Sequence, residues 1–248
     1  MAQKVKLVID WGNTRVKLGV FQNVDMLFMV YNYSHEEATS AIMKMMEQYR
    51  YPKSLLCSVH HHSQELVDAL EEHGNLDVLT ADTPVPLMNA YGSWESLGMD
   101  RLALAVAGYH LYPEQDQLII AAGTAITYNF TQSAGIFRGG NISPGVDLRL
   151  KSLHEFTDQL PLVDKKGMCP LLGHDTTTSI RSGVLFGIAA EIEGMVKYYQ
   201  AQYPNTKVVL TGGSTNLFVD KMKSEIFADD ALILRGLNAI INYNENKK

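Results

Sequence analysis

Asp10-Trp11-Gly12-Asn13-Thr14 sets a carboxylate, a glycine and a hydroxyl within five consecutive residues, the residue types that a phosphate-binding turn uses. Glycine lets backbone approach a ligand closely, and the neighbouring amides and the Thr14 hydroxyl can donate to phosphate oxygens. Asp10 then stands where a phosphate-bound Mg²⁺ would need a carboxylate. One is enough, because Mg²⁺ takes one or two carboxylates and completes its shell with water and phosphate oxygens. The same residues also build plain β-turns for local reasons, so a second turn, Ala122-Gly123-Thr124, adds weight. Gly98-Met99-Asp100-Arg101 places another carboxylate at the start of a predicted helix, where the helix N-terminus and Arg101 are both expected to keep it ionised. Such an Asp can accept a hydroxyl proton during phosphoryl transfer, or only stabilise the first helical turn. Thr211-Gly212-Gly213-Ser214 follows an apolar run and offers bare backbone for a base or ribose; an ordinary strand-to-helix turn has the same residues.

These motifs need elements to position them. Strands over 5–9 and 15–21 flank the first turn as a β-hairpin. Ser34 with Glu37 forms a capping box ahead of Ala38, Ile42, Met45 and Met46, whose spacing marks one buried helical face that should stop before Pro52. A strand at 55–59, a helix at 63–73 stopped by Gly74 and a strand at 76–79 continue an α/β alternation. A loop over 83–94 leads to a helix over about 97–112, and polar 113–117 is the candidate domain boundary. Strand, glycine turn and strand then return at 118–130, which reads as an internal repeat. Residues 135–141 extend the second sheet; helices at 146–159 and 178–203, a strand at 207–210 and a terminal helix complete the chain. The predicted domains are 1–115 and 116–248, with the terminal helix, about 232–245, able to pack back on the first.

At 248 residues and 46% hydrophobic content the chain can bury a full core, and a net charge of −6 gives no chain-wide attraction to nucleic acid or anionic lipid. Small-molecule chemistry is the better expectation. Cys57 and Cys169 lie far apart and outside any CxxC spacing; they fit a reducing cytosol and read as small hydrophobes. Neither a signal-peptide pattern nor an uninterrupted run of about 18 apolar residues is present, so no membrane span is expected and the predicted location is cytoplasmic. No P-loop or GxGxxG occurs. His60-His61-His62 would point to alternate faces of a strand and cannot close on one ion without a bend. Met43, Met45 and Met46 read as helix packing, Trp11 as packing on neighbouring strands, and Lys247-Lys248 as a solvated tail.

The motifs form an ordered set: Asp10 to Thr14, Gly98 to Arg101, Gly139-Gly140-Asn141-Ile142-Ser143-Pro144-Gly145, and Thr176 seven residues before Gly183. In that order and spacing the chain resembles type III pantothenate kinase from Val5 to about Gly213, including Asn89, Tyr91 and the Leu160-Pro161 pair. The resemblance implies an α/β fold of two duplicated ribonuclease H-like domains, mixed sheets flanked by helices, shared with actin, Hsp70 and acetate or sugar kinases, with ATP in the cleft between halves. It implies phosphorylation of the primary hydroxyl of pantothenate, the first committed step toward coenzyme A, by a homodimer. By the same resemblance Asp100 is the general base and Asp10 serves Mg²⁺ and phosphate. Gly12, Asn13, Thr14, Lys17, Gly123, Thr124, Gly212 and Gly213 would contact ATP. Tyr91, Gly98, Met99, Asp100, Arg101 and Thr176 would surround pantothenate, with Thr176 reaching in from the partner subunit.

One departure stands out. Where the family usually carries an aspartate that binds a monovalent cation such as K⁺ or NH₄⁺, this chain has Ala121, and Asn129 stands where relatives often carry an acid. A methyl group cannot coordinate a cation. The expectation is therefore either turnover without a specific cation or a decayed, non-catalytic relative that binds nucleotide or pantothenate as an accessory factor. Another actin-like small-molecule kinase is a further alternative; one that bears a structural zinc would need a cysteine cluster, and the sequence has none.

Overall fold

The computed structural model describes residues 5–48, 53–59, 64–73, 75–223 and 226–247. The predictions for His60–His62, for the helix ends at Ser63 and Gly74 and for Lys248 lie outside the described residues. The chain divides into two compact units: residues 1–114, 133–138 and 231–248 form the first, and 115–132 with 139–230 form the second. Segment 133–138, which the sequence reading placed in the second half, thus groups with the first.

The first unit runs β1 (Lys6–Trp11), β2 (Val16–Gln22), β3 (Asp25–Tyr33), α1 (His35–Gln48), β4 (Lys53–Ser58), α2 (Gln64–His73), β5 (Asn75–Val78), the two-residue β6 (Met88–Asn89) and α3 (Met99–Leu111). Its sheet has the order β3-β2-β1-β4-β5. Every residue of β1 is buried, as a central strand covered on both faces requires. It pairs antiparallel with β2 and parallel with β4. Strand β3 was not foreseen from the sequence, because its alternation is broken: Leu27 and Phe28 are exposed in succession, and its register with β2 shifts twice. The Ser34 capping box is in place, with the Ser34 amide 3.0 Å from Glu37 Oε2 and the Glu37 amide 3.3 Å from Ser34 Oγ. Behind it Ala38, Ile42, Met45 and Met46 pack with Leu7, Ile9 and Leu18 in one cluster.

The second unit contains β7 (Gln117–Ala122), β8 (Ala125–Gln132), most of β9 (Ile136–Pro144), α4 (Val146–Glu155), α5 (Thr176–Gln202), β10 (Lys207–Thr211) and β11 (Phe227–Ala228). Its strands run β11-β10-β7-β8-β9. Numbered within the unit, that is the order of the first sheet, with the same senses: β7 is antiparallel to β8 and parallel to β10, and β10 is parallel to β11. The repeat read from the two glycine turns is therefore a repeat of the whole sheet. The first residues of β9 belong to the first unit, where Ile136 and Phe137 pair with Met88 and Asn89 of β6. Helix α5 starts two residues before the predicted Thr178, because Asp175 caps it through a 2.7 Å bond from the Thr178 amide. Helix α4 stops at Glu155, short of the predicted 159, where the Thr157 hydroxyl turns back to the Leu153 carbonyl at 2.6 Å. No helix among the described residues is long and apolar enough to cross a membrane.

The chain ends in α6 (Leu232–Glu245), which packs against α3 and β1 in the first unit. Gly236 faces α3 so closely that a Cβ there would lie 2.0 Å from the Ala103 carbonyl oxygen. Only a glycine allows that approach, and it fixes the helix that carries Asp100.

Candidate active site

In the first unit the β1–β2 turn closes through the Gly12 amide, 3.1 Å from the Arg15 carbonyl. A Cβ on Gly12 would meet that oxygen at 2.9 Å. Asn13 and Thr14 are exposed at the tip. Asp10 sits one strand position before the turn residues begin, only 6% exposed, directly across the ladder from Lys17 and beside Cys57 of β4. Lys17 Nζ lies 3.7 Å from Asp10 Oδ2. Burial pushes the Asp10 carboxyl up to about 6 against the lowering effect of Lys17, and the charge of Asp100 adds to the rise. The neighbouring Cys57 thiol is raised too, first by burial and then by the charges of Asp10 and Asp100. Two carboxylates thus share a dry region whose negative charge Lys17 offsets only partly.

Such a region gains from a cation. Among the described residues no group of three or more His, Cys, Asp and Glu side chains is arranged as a metal cage. Asp10 offers the single carboxylate that a phosphate-borne Mg²⁺ uses, so the residues fit that ion in that form.

Asp100 occupies the first turn of α3, whose N-cap is Gly98. A Cβ on Gly98 would lie 2.5 Å from Asp100 Oδ1, so this glycine makes room for the carboxylate. The helix N-terminus and Arg101 lower the Asp100 pKa, as expected, but they are not the largest effect on it. Burial raises its pKa and outweighs the lowering hydrogen bonds from the Arg101 and Asp100 amides and the charges of Arg101 and Lys17. Arg101 is itself buried and places its guanidinium 5.4 Å over the Tyr91 ring. Tyr91 stacks on Phe137 at 6.3 Å, and Met99 packs in the same cluster. The first unit therefore gathers Tyr91, Gly98, Met99 and Arg101 near Asp100, and sets Asp10 beside Lys17 at the β1–β2 turn that Gly12 closes. Thr176, the first residue of α5, belongs to the second unit.

His35 escaped the sequence reading. Its Nε2 lies 2.9 Å from the Gly12 carbonyl and its ring stacks on Trp11 with centroids 5.3 Å apart, so α1 braces the β1–β2 turn. The only local signal is its place directly after the Ser34 cap, which does not say where the ring points. Trp11 packs, as expected, and is 3% exposed.

In the second unit the β7–β8 turn closes through the Gly123 amide, 3.0 Å from the Ala125 carbonyl. Two other glycine segments converge on it. The Gly145 amide donates to the Thr124 carbonyl at 3.0 Å, and the Ser214 amide donates to the Ala122 carbonyl at 3.1 Å. Gly212, at φ +107°, leaves 2.4 Å between a would-be Cβ and the Ala122 oxygen, a position open only to glycine. Gly213 has open space around it. The result is a backbone-lined turn without carboxylates, a suitable surface for anionic phosphate. Ala121 faces Thr127 of β8 and Thr211 of β10 across the sheet, and the buried Asn129 donates to the Ile119 carbonyl at 3.2 Å and to Thr127 Oγ1 at 3.1 Å. Ala121 offers no carboxylate there, so a cation would find no side-chain ligand at this position.

Comparison with known proteins completes the description. The profile of the family described as type III pantothenate kinase matches residues 6–198. The chain is 41% identical over 245 residues to a type III pantothenate kinase of Bacteroides fragilis, covering 98% of this chain and 100% of that one. It is 37% identical over 247 residues to one from Christiangramia forsetii, covering 98% and 100%. Among solved structures, a conserved Baf-family protein of Campylobacter jejuni superposes with a TM-score of 0.60 at 22% identity, covering 97% of this chain and 99% of that one. The ADP-bound MreB5 of Spiroplasma citri gives 0.53 at 12% identity, covering 100% and 99%, and a ROK hexokinase of Thermus thermophilus gives 0.52 at 12%, covering 98% and 100%. These likenesses establish the actin-like, duplicated α/β fold.

Proposed function

The chain belongs to the type III pantothenate kinase family, and from that premise we propose that it phosphorylates the primary hydroxyl of pantothenate with ATP, giving 4'-phosphopantothenate at the entry to coenzyme A synthesis. The observation that carries the reading is the placement of Asp100 within electrostatic reach of Asp10, in a region that raises both carboxyls. Asp100 accepts the hydroxyl proton as the oxygen forms its bond to the terminal phosphorus and the bond to the ADP oxygen breaks. A raised pKa improves that base, provided the pH stays above it.

The remaining roles follow from position. Asp10 would hold Mg²⁺ together with phosphate oxygens, and the ion would supply positive charge to the transferred group. In the first unit Gly12, Asn13, Thr14 and Lys17 are the proposed phosphate contacts; in the second Gly123, Thr124, Gly212 and Gly213 are the proposed nucleotide contacts. Tyr91, Gly98, Met99 and Arg101 bind pantothenate, Arg101 being held over the Tyr91 ring. Thr176 completes that set from a partner subunit. The homodimer reading is supported by Leu171 and Leu172, 75% and 77% exposed and a few residues before Thr176, which offer apolar surface to a partner. We place the reaction in the cytoplasm, where ATP is available. The experiment is a coupled assay of ADP release with pantothenate, hexoses and acetate as acceptors; turnover with a hexose or acetate but not with pantothenate overturns the assignment.

A further inference from the structure

Helix α5 turns a largely apolar side toward its core, and Ile188 and Ile192 on it are fully buried. Glu191 interrupts that side. An acid beside a core costs free energy unless it is paired and hydrogen-bonded, and this one is met from three elements. Tyr128 of β8 donates its hydroxyl to Glu191 Oε1 at 3.0 Å, and Ser143 of β9 donates to the same oxygen at 2.6 Å. Arg149 of α4 pairs with Oε2. Burial alone would raise the Glu191 carboxyl, but the hydrogen bonds and charge of Arg149, with those of Ser143 and Tyr128, lower it overall, so it stays ionised near neutrality.

What the carboxylate holds is the segment that touches the second phosphate turn. Arg149 also donates through Nε to the Pro144 carbonyl at 2.8 Å. The next residue, Gly145, donates to the Thr124 carbonyl, and a Cβ on it would lie 2.3 Å from the Gly123 oxygen and 2.5 Å from the Thr124 oxygen. Backbone rests on backbone there, with no side chain to absorb a displacement. A shift of the Ser143–Gly145 segment therefore passes straight to the turn.

We propose that Glu191 is a positioning residue for ATP: by tying Tyr128, Ser143 and Arg149 together it holds Gly145 against the Gly123–Thr124 turn and so fixes the phosphate-facing amides of that turn. The inference rests on the reading of that turn as an ATP contact. Its consequence is selective for ATP, because the network ends on the Gly123–Thr124 turn, whereas Tyr91, Gly98, Met99, Asp100 and Arg101 belong to the first unit.

The test compares wild type with Glu191→Ala, Glu191→Gln and Arg149→Met, measuring Kd for a non-hydrolysable ATP analogue by calorimetry, KM for each substrate, and thermal unfolding. A lost hydrogen bond to a charged group corresponds to roughly a 10-fold change. Folded Glu191→Ala should weaken analogue binding and raise KM for ATP by about that factor, with KM for pantothenate within about twofold. Glu191→Gln, which keeps an oxygen for Ser143 and Tyr128, should recover part of the loss. Analogue binding within twofold of wild type, or both KM values rising in parallel, overturns the proposal. Should Glu191→Ala not fold, Tyr128→Phe and Ser143→Ala each remove one bond to Glu191 and should raise KM for ATP about threefold; no rise in either overturns it equally. If wild type binds the analogue but does not phosphorylate pantothenate, the functional reading fails while the binding arm still decides the role of Glu191.

Discussion

Lys17 stands directly opposite Asp10 on the first hairpin, its ammonium 3.7 Å from the carboxylate, yet Asp10 still titrates at about 6 instead of 3.8. Burial and the negative charge of Asp100 outweigh the pair. A carboxylate held this way is costly to ionise without a cation, and a phosphate-borne metal supplies one.

Activity should therefore fall on acidification. Asp10 protonates near pH 6 and Asp100 above its ordinary range, so kcat/KM should decline as pH drops through about 6. Lys17→Met removes the group that lowers Asp10 and should move this limb to higher pH, which a pH–rate profile reads directly. A limb that stays put or moves down contradicts the assignment.

Asp100→Asn should retain ATP-analogue binding and lose about 10²–10⁴-fold in kcat, the range of a general base. Comparable activity in a folded variant would remove Asp100 from the reaction.

Asp10→Asn should separate function from stability. Between 3.8 and about 6 the folded chain binds more protons at Asp10 than the unfolded one, so stability falls as pH rises through that window, by about 3 kcal/mol in all. Asparagine escapes that loss. The variant should be inactive yet unfold at a higher temperature than wild type at pH 7.5, in the absence of ligands, with the advantage gone near pH 3.5. Equal melting at both pH values would show that the burial of this charge is not a destabilising element.

Rates of ADP release in Na⁺, K⁺ and NH₄⁺ should agree within about twofold, because Ala121 supplies no side-chain ligand to a cation. A strong K⁺ requirement would place the ion elsewhere.

Leu171→Glu should convert the protein from dimer to monomer in sedimentation and raise KM for pantothenate more than KM for ATP, since it sits five residues before Thr176 on an exposed apolar stretch. A monomeric wild type overturns the dimer reading.

The glycine turns, the Ser34–Glu37 cap and the order of motifs were legible in the chain itself, because each depends on contacts within a few residues: a turn needs its glycine and a cap its oxygen, whatever packs around them. The doubled strand–turn–strand pattern announced a doubled sheet for the same reason. Other features depend on what packing brings together across long stretches of chain. Strand β3 exists because β2 had an open edge, not because its own alternation is clear. His35 reaches Gly12 only once α1 has docked, and Glu191 reads as an ordinary helix charge until β8, β9 and α4 arrive around it. The ionisation of Asp100 turned on the same cause: its helix start and its arginine neighbour are local and point one way, whereas burial is a property of the assembled fold and proved the stronger.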